Sequence, residues 1–222
     1  LQAVFFRSPV AAGMITGLDC SAAKAATGVV AVLTAADAAA DGVANMIWTG
    51  GPVREDGGVT VDSPRPLLSG AEIRHLGEPL AMIIATSRQA AADAAELIDL
   101  QIEAADSVAL SVENMLDGPL VWPGTTDNIA SLHRQGNRDD VDAILAKSAH
   151  VSYFEFDISK ITACTMEMRT SIGFIDENGK SCVTTSAQSP YQLHGELAQL
   201  FGISTDEVRV ISPDVGGSFG MK

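Results

Sequence analysis

Pro79-Leu80-Ala81-Met82-Ile83-Ile84-Ala85, followed by Ser87, an alanine-rich run and Leu100-Gln101-Ile102-Glu103, is the stretch that decides the fold. Residues 79–85 form a continuous apolar run of strand length. Ser87 can accept a hydrogen bond from the first free amides of a helix, which the alanine-rich run predicts through Ile98. Leu100 to Glu103 then returns as a strand. Strand, helix and strand at this spacing predict a βαβ crossover in an α/β layer.

Upstream, Leu1 to Phe6 reads as a strand ending at Arg7-Ser8-Pro9. Asp19 or Ser21 can cap a short helix that stops at Gly28, before the apolar strand Val29 to Leu33. Residues 41–70 hold six glycines and three prolines without periodicity, which predicts a long irregular surface loop. Downstream, Asp117-Gly118-Pro119 and Pro123-Gly124 mark residues 116–138 as a linker between a first unit, 1–115, and a second, 139–222. The second unit is predicted to open with a short helix around Val141 to Leu145 and a strand over Val151 to Phe156. A hairpin follows, from Thr170 to Ile175 through Asn178-Gly179 to Ser181–Thr185. Ser189-Pro190-Tyr191-Gln192 carries a Ser-x-x-Gln capping box with proline at the first helical position. Leu193, Leu197, Leu200 and Phe201 form that helix's apolar stripe, and Gly202 ends it. Ser204 caps a further turn before the strand Val208 to Ile211.

The chain has 222 residues, 46% of them hydrophobic, enough for one large domain or two modest ones. With 28 acidic against 14 basic residues its net charge is −14, which repels phosphate backbones and argues against nucleic acid. Cys20, Cys164 and Cys182 are far apart and form no CxxC pair, which excludes a local iron–sulfur or zinc site built from this chain's own sulfurs. Their odd number suits a reducing, cytoplasmic setting. No apolar run reaches the length of a membrane span and no signal peptide is evident, although the chain starts at Leu1 rather than Met.

Chemistry is concentrated near the end of the sequence. Asp214-Val215-Gly216-Gly217-Ser218-Phe219-Gly220-Met221-Lys222 follows a predicted strand and places three glycines in five positions. Unshielded backbone N–H groups there suit close approach to an anionic group, and a plain glycine turn is the alternative. The loop is neither a P-loop, since Met221 separates Gly220 from Lys222, nor a dinucleotide fingerprint. Gln188 sits at a strand-to-helix junction, where its amide either donates to an oxo or phosphate group or faces water. His194, on the helix that follows, is read as a solvated or packing histidine. Glu167 and Arg169, two apart, are predicted to share a face of a strand and to form an ion pair or bind a polar ligand. The histidines 75, 133, 150 and 194 show no metal-ligand spacing, and no Ser/His/Asp arrangement emerges.

Gln188-Ser189-Pro190, the helix to Phe201-Gly202, Val208-Arg209-Val210 and the terminal glycine loop resemble the molybdenum-subunit segment of the xanthine dehydrogenase/aldehyde oxidase family. Ser-Phe-Gly-Met-Lys at 218–222 is most similar to its carbon monoxide dehydrogenase large-subunit branch. Met166-Glu167-Met168-Arg169 resembles the family's Met-Glu-Pro-Arg, with Met168 in place of proline. Phe6-Arg7-Ser8-Pro9, Gly28 to Asp37 and His75 to Ala81 look like the family's α/β hammerhead domain, although Val10-Ala11-Ala12 stands where histidines are frequent. The resemblance covers essentially the whole chain.

It implies an α/β (α+β) fold: a hammerhead domain over 1–115, the linker 116–138, and the opening part of a molybdopterin-binding domain over 139–222. It also implies molybdopterin, in the cytosine dinucleotide form, and molybdenum as cofactors, with Gln188, Gly216, Gly217, Phe219 and Gly220 as cofactor-binding residues. Metal ligands would come from the cofactor, so none is assigned to the chain. No catalytic residue is assigned either, because the family's general-base glutamate is expected beyond Lys222, and the isolated chain is expected to be inactive. The implied partners are iron–sulfur and FAD-containing flavin subunits, the remainder of the molybdenum subunit and a small-molecule substrate. The implied activity is hydroxylation of an aldehyde or N-heterocycle, or oxidation of carbon monoxide. A non-catalytic assembly module, or a truncated remnant of such a subunit, is the alternative.

Overall fold

The computed structural model describes residues 1–46, 54–57, 63, 65–108, 111–159 and 161–222. Its first half runs β1 (Gln2–Arg7), β2 (Gly13–Asp19), α1 (Ser21–Ala25), β3 (Val29–Thr34), α2 (Ala35–Ala40), β4 (Glu72–Ile73), β5 (Pro79–Ala85), α3 (Arg88–Ala95) and β6 (Asp99–Ala104). These strands make two three-stranded sheets, ordered β1-β5-β3 and β4-β2-β6, and every pairing is antiparallel.

The expected βαβ crossover at β5-α3-β6 is therefore corrected. Both edges of β5 are already occupied, by β1 and β3, so no edge remains for a parallel β6. The chain crosses to the second sheet, where β6 pairs with β2 from Gly13↔Ala104 to Asp19↔Asp99. The alternation Leu100-Gln101-Ile102-Glu103 is consistent with this, because a half-exposed antiparallel strand alternates whereas a sandwiched parallel one is apolar throughout. The helix also stops at Ala95 rather than Ile98, and Ser87 caps it by accepting from the Ala90 amide at 3.1 Å.

β2 and α2 complete the first half, though no strand or helix is predicted at either from the sequence. Gly13 breaks the apolar pattern of β2, yet a Cβ there would fall 2.8 Å from the Glu103 carbonyl, so strand pairing requires the glycine. α2 is held by a capping box in which the Thr34 side chain and the Asp37 carboxylate each satisfy the other's backbone. At α1 neither Asp19 nor Ser21 is the cap: the N-cap position is Cys20, without a side-chain cap, and Asp19 before it accepts from the Ser21 amide at 2.8 Å through Oδ1. The core lies between the β1-β5-β3 sheet and the two alanine-rich helices. Ala81, Ile83 and Ala85 on one face of β5 are fully buried against Ala23 of α1 and Ala91 and Ala94 of α3. Alanine side chains keep the helix backbones close enough to the sheet to fill this space without voids. Of the irregular loop expected over 41–70, residues 47–53, 58–62 and 64 lie outside the described residues. Its described part includes a bridge between Met46 and Arg65.

The second half runs α4 (Val112–Asp117), α5 (Arg138–Lys147), β7 (Ser171–Ile175), β8 (Ser181–Thr185), α6 (Pro190–Phe201), a 3₁₀ turn (Thr205–Glu207) and β9 (Val208–Ile211). The predicted hairpin is present as β7-β8, with Asp176 Oδ1 accepting from the Asn178 and Lys180 amides across its turn. β9 joins the other edge of β8 in parallel, so the chain's βαβ crossover is β8-α6-β9. Ser189 caps α6, and Gly202 ends it at φ +63°. Only half of the expected capping box forms: the Gln192 amide donates to Ser189 Oγ, but its side chain turns to Glu196. Residues 151–159 carry no regular secondary structure despite their alternation, and Tyr153, Phe154 and Phe156 are exposed. Alternation assigns faces, but a strand also needs a ladder partner, and none of the described residues supplies one.

Residues 54–57 are tied to the segment 127–134. Arg54, whose guanidinium is buried, pairs with Asp127 at 2.8 Å and donates to the Ile129 carbonyl at 3.0 Å. Glu55 accepts from the Arg134 amide at 2.7 Å and meets the His133 ring at 2.8 Å.

Candidate functional site

The parallel pair β8 and β9 fixes the geometry. Gln188 lies just past the carboxyl end of β8 and the glycine loop just past the carboxyl end of β9, so both open onto the same sheet edge. This is the edge on which open parallel arrangements place ligands. Two hydrogen bonds hold the segments together: the Gln188 amide donates to the Lys222 carbonyl at 3.1 Å, and the Gly220 amide donates to Gln188 Oε1 at 2.9 Å. A backbone N–H can be accepted only by the carboxamide oxygen, so the Gln188 Nε2 group remains available as a donor.

The loop itself departs from ordinary backbone. Gly217 and Gly220 sit at φ +90° and +83°, and Phe219 between them is at φ +53°, the one non-glycine residue in the left-handed region among the described residues. Left-handed backbone at a bulky residue is uncommon and is held by its surroundings, a feature that concentrates at ligand sites. The Phe219 ring folds back over Gly217, whose hypothetical Cβ would meet the ring at 3.1 Å, yet it remains largely exposed. No described residue accepts from the Ser218 or Phe219 amides. Together with Gln188 Nε2 they form a set of uncharged donors at one edge.

The carboxylate of Glu167 closes the loop from behind. Its Oε2 accepts from the Gly216 amide at 2.7 Å and from Lys222 Nζ at 2.5 Å. The ion pair expected between Glu167 and Arg169 is thus corrected: Met166 and Glu167 form a bend and residues 168–170 no strand, and Glu167 pairs with Lys222. That partner was hidden in the sequence by a separation of 55 positions. The Lys222 ammonium and then the Gly216 amide hold the Glu167 carboxyl below the usual glutamate value of 4.5. A depressed carboxyl pKa stabilises the folded loop above the unfolded value, and this stabilisation is lost as pH falls through the lower, folded value. Amide chemical shifts of Gly216 followed through an acid titration are therefore expected to stay constant down to about pH 4.5 and to move toward unstructured values only below it. Movement centred above that point would contradict the pairing.

His194 is structural. Its Nε2 lies 2.9 Å from the Thr205 carbonyl and 3.1 Å from that of Val208, so it carries the proton and joins α6 to the 3₁₀ turn and β9. Among the described residues no group of three His, Cys, Asp or Glu is placed to hold a metal ion. The three cysteines are free thiols.

The donor set fits a molybdopterin centre. It offers amide N–H groups and a carboxamide NH₂ to oxo or phosphate oxygens, and at Gly220, where a Cβ would meet nothing within 4 Å, the backbone is open to a ligand.

Comparisons with known proteins agree on the kind of chain this is. Residues 2–106 match the aldehyde oxidase and xanthine dehydrogenase a/b hammerhead domain, and residues 121–222 match the molybdopterin cofactor-binding domain. The large subunit of nicotine 6-hydroxylase from Paenarthrobacter nicotinovorans is 31% identical over 100% of this chain and 26% of its own length. The large chain of carbon monoxide dehydrogenase from Afipia carboxidovorans is 27% identical over 98% of this chain and 27% of its own. Among solved structures, the Cu,Mo-CO dehydrogenase in its carbon monoxide reduced state superposes with a TM-score of 0.81 at 26% identity, over 98% of this chain and 28% of that one. Quinoline 2-oxidoreductase from Pseudomonas putida 86 gives 0.79 at 29% identity, over 98% and 27%. The chain spans about a quarter of the length of these relatives.

Proposed function

We propose, from the premise that the chain belongs to the molybdenum-binding large subunits of the xanthine dehydrogenase/aldehyde oxidase family, that it forms one wall of a molybdopterin site in an oxidoreductase. The observation that carries this reading is the Gln188 carboxamide. Its oxygen accepts from the Gly220 amide at 2.9 Å, which leaves its NH₂ group available as a donor where Gln188 is joined to the glycine loop. Gln188 would hydrogen-bond an oxo group of the cofactor, while Gly216, Gly217, Phe219 and Gly220 give the loop its close approach to the pterin.

When bound, the molybdenum centre supplies the two-electron oxidation of a small substrate, an aldehyde, an N-heterocycle or carbon monoxide. The chain's own residues position that centre: the Gln188 amide places a donor where negative charge gathers on an oxygen. The general base belongs to a part of the subunit that these residues do not include. Cytosine dinucleotide as the cofactor form, iron–sulfur and flavin partner subunits, and a cytoplasmic setting in which three free thiols persist complete the proposal. The same reading divides the chain into a hammerhead domain over 1–115, a linker over 116–138 and a molybdopterin-binding portion over 139–222.

The test is elemental and pterin analysis of the complete enzyme that contains this chain. Molybdenum together with pterin released by acid is the expected result, and absence of both would remove the proposal. Gln188→Ala in that enzyme is expected to keep the cofactor yet lower kcat by about 10²-fold, the typical cost of deleting one preorganised donor. An unchanged kcat would take Gln188 out of the site.

A further inference from the structure

We infer that Glu167 and Lys222 form an ionic clasp that positions the glycine loop, and that Lys222 is not an anion ligand. The inference rests on the molybdopterin reading for its purpose and on geometry for its substance. A lysine at the end of a glycine loop beside an expected phosphate-bearing cofactor would ordinarily be assigned to the phosphate. Here its ammonium is enclosed, with the side chain 1% exposed, and its one hydrogen-bond partner among the described residues is Glu167. The carboxylate oxygen that takes this ammonium also takes the Gly216 amide, so a single atom joins the two ends of the loop. The Lys222 carbonyl receives the Gln188 amide, which passes the clasp's position on to the proposed oxo donor.

The support beneath the clasp is also built. Thr165 Oγ1 donates to the Glu167 carbonyl at 2.6 Å, fixing the bend that presents the carboxylate. The Glu167 side chain passes so close to Gly216 that a Cβ there would stand 2.6 Å from Glu167 Cβ. With Lys222 neutralised, the loop's attraction for an anion comes from backbone N–H groups, in a chain whose net charge of −14 would otherwise oppose it. Glu167 and Lys222 are thus positioning residues, acting through Gly216 and Gln188.

Two variants, Glu167→Gln and Lys222→Met, and their combination test this in two ways. In the 222-residue chain, amide hydrogen exchange at Gly216 and Gly220 is expected to quicken at least about tenfold in either variant, because a hydrogen bond to a charged acceptor is lost or loosened. The double variant should be no faster than the worse single one, as for two residues acting as a unit. Exchange in β5 and α3 reports whether the rest of the chain still folds. In the complete enzyme, acid-released pterin should fall in both single variants. Exchange unchanged from the parent overturns the clasp. So does a Glu167→Gln enzyme that keeps its pterin while Lys222→Met loses it, which would make Lys222 a direct anion ligand. A parent enzyme without pterin would refute the proposed function, and the exchange arm would still decide the clasp.

Discussion

Ile83→Ala is expected to cost the chain about 2–5 kcal/mol of stability, the range for truncating a large aliphatic side chain in a packed core. Ile83 is one of the two largest fully buried side chains, at the middle of β5, with its neighbours Ala81 and Ala85 also at zero exposure. The surrounding positions are mostly alanine, which has no side-chain freedom with which to close a void, and this favours the upper part of that range. Whole domains are stable by only about 5–15 kcal/mol, so the substitution removes a large share of the total. Urea unfolding followed by circular dichroism should show a lower midpoint with an unchanged slope. A loss below about 0.5 kcal/mol, the range of surface substitutions, would mean that β5 is not the centre of the core.

Gly216→Ala is expected to abolish pterin retention in the complete enzyme while leaving the hammerhead half folded. The new methyl would stand 2.6 Å from Glu167 Cβ and 3.2 Å from its Cδ and Oε2. Cβ is attached to backbone and cannot swing aside as a side-chain tip can, so either the loop or the carboxylate must move. Either movement breaks the contact to the Gly216 amide. Gly217→Ala makes an informative companion: its φ of +90° disfavours alanine, but the atom it meets at 3.1 Å belongs to the exposed Phe219 ring, which can rotate. A smaller loss is expected there. Fluorescence of acid-released pterin measures both, and parent-like pterin in Gly216→Ala would show that the loop tolerates a different path.

Local grammar made much of the second half legible. Asn178-Gly179 announced the β7-β8 hairpin, and Ser189, Pro190 and Gly202 bracketed α6, because turns and caps are settled by residues within one turn of each other. Resemblance carried the proposal for Gln188 and the glycine loop, whose residue types suit an anionic oxygen ligand but do not specify one. The alternating run Val151 to Phe156 misled, since alternation is satisfied by an extended segment whether or not another strand lies beside it.

The sequence by itself determined the N-caps of α3 and α6, the turn of the β7-β8 hairpin, that residues 79–85 form an apolar strand, and that the end of the chain offers backbone donors. Tertiary structure alone decided that β5 already has a neighbour on each edge, which sends β6 to another sheet and leaves the parallel crossover to β8-α6-β9. It also decided that Glu167 belongs with Lys222 and not with Arg169. The reason is the same in both cases: a cap or turn is fixed by neighbours in the chain, whereas an occupied strand edge or a buried ion pair depends on residues that only folding brings together.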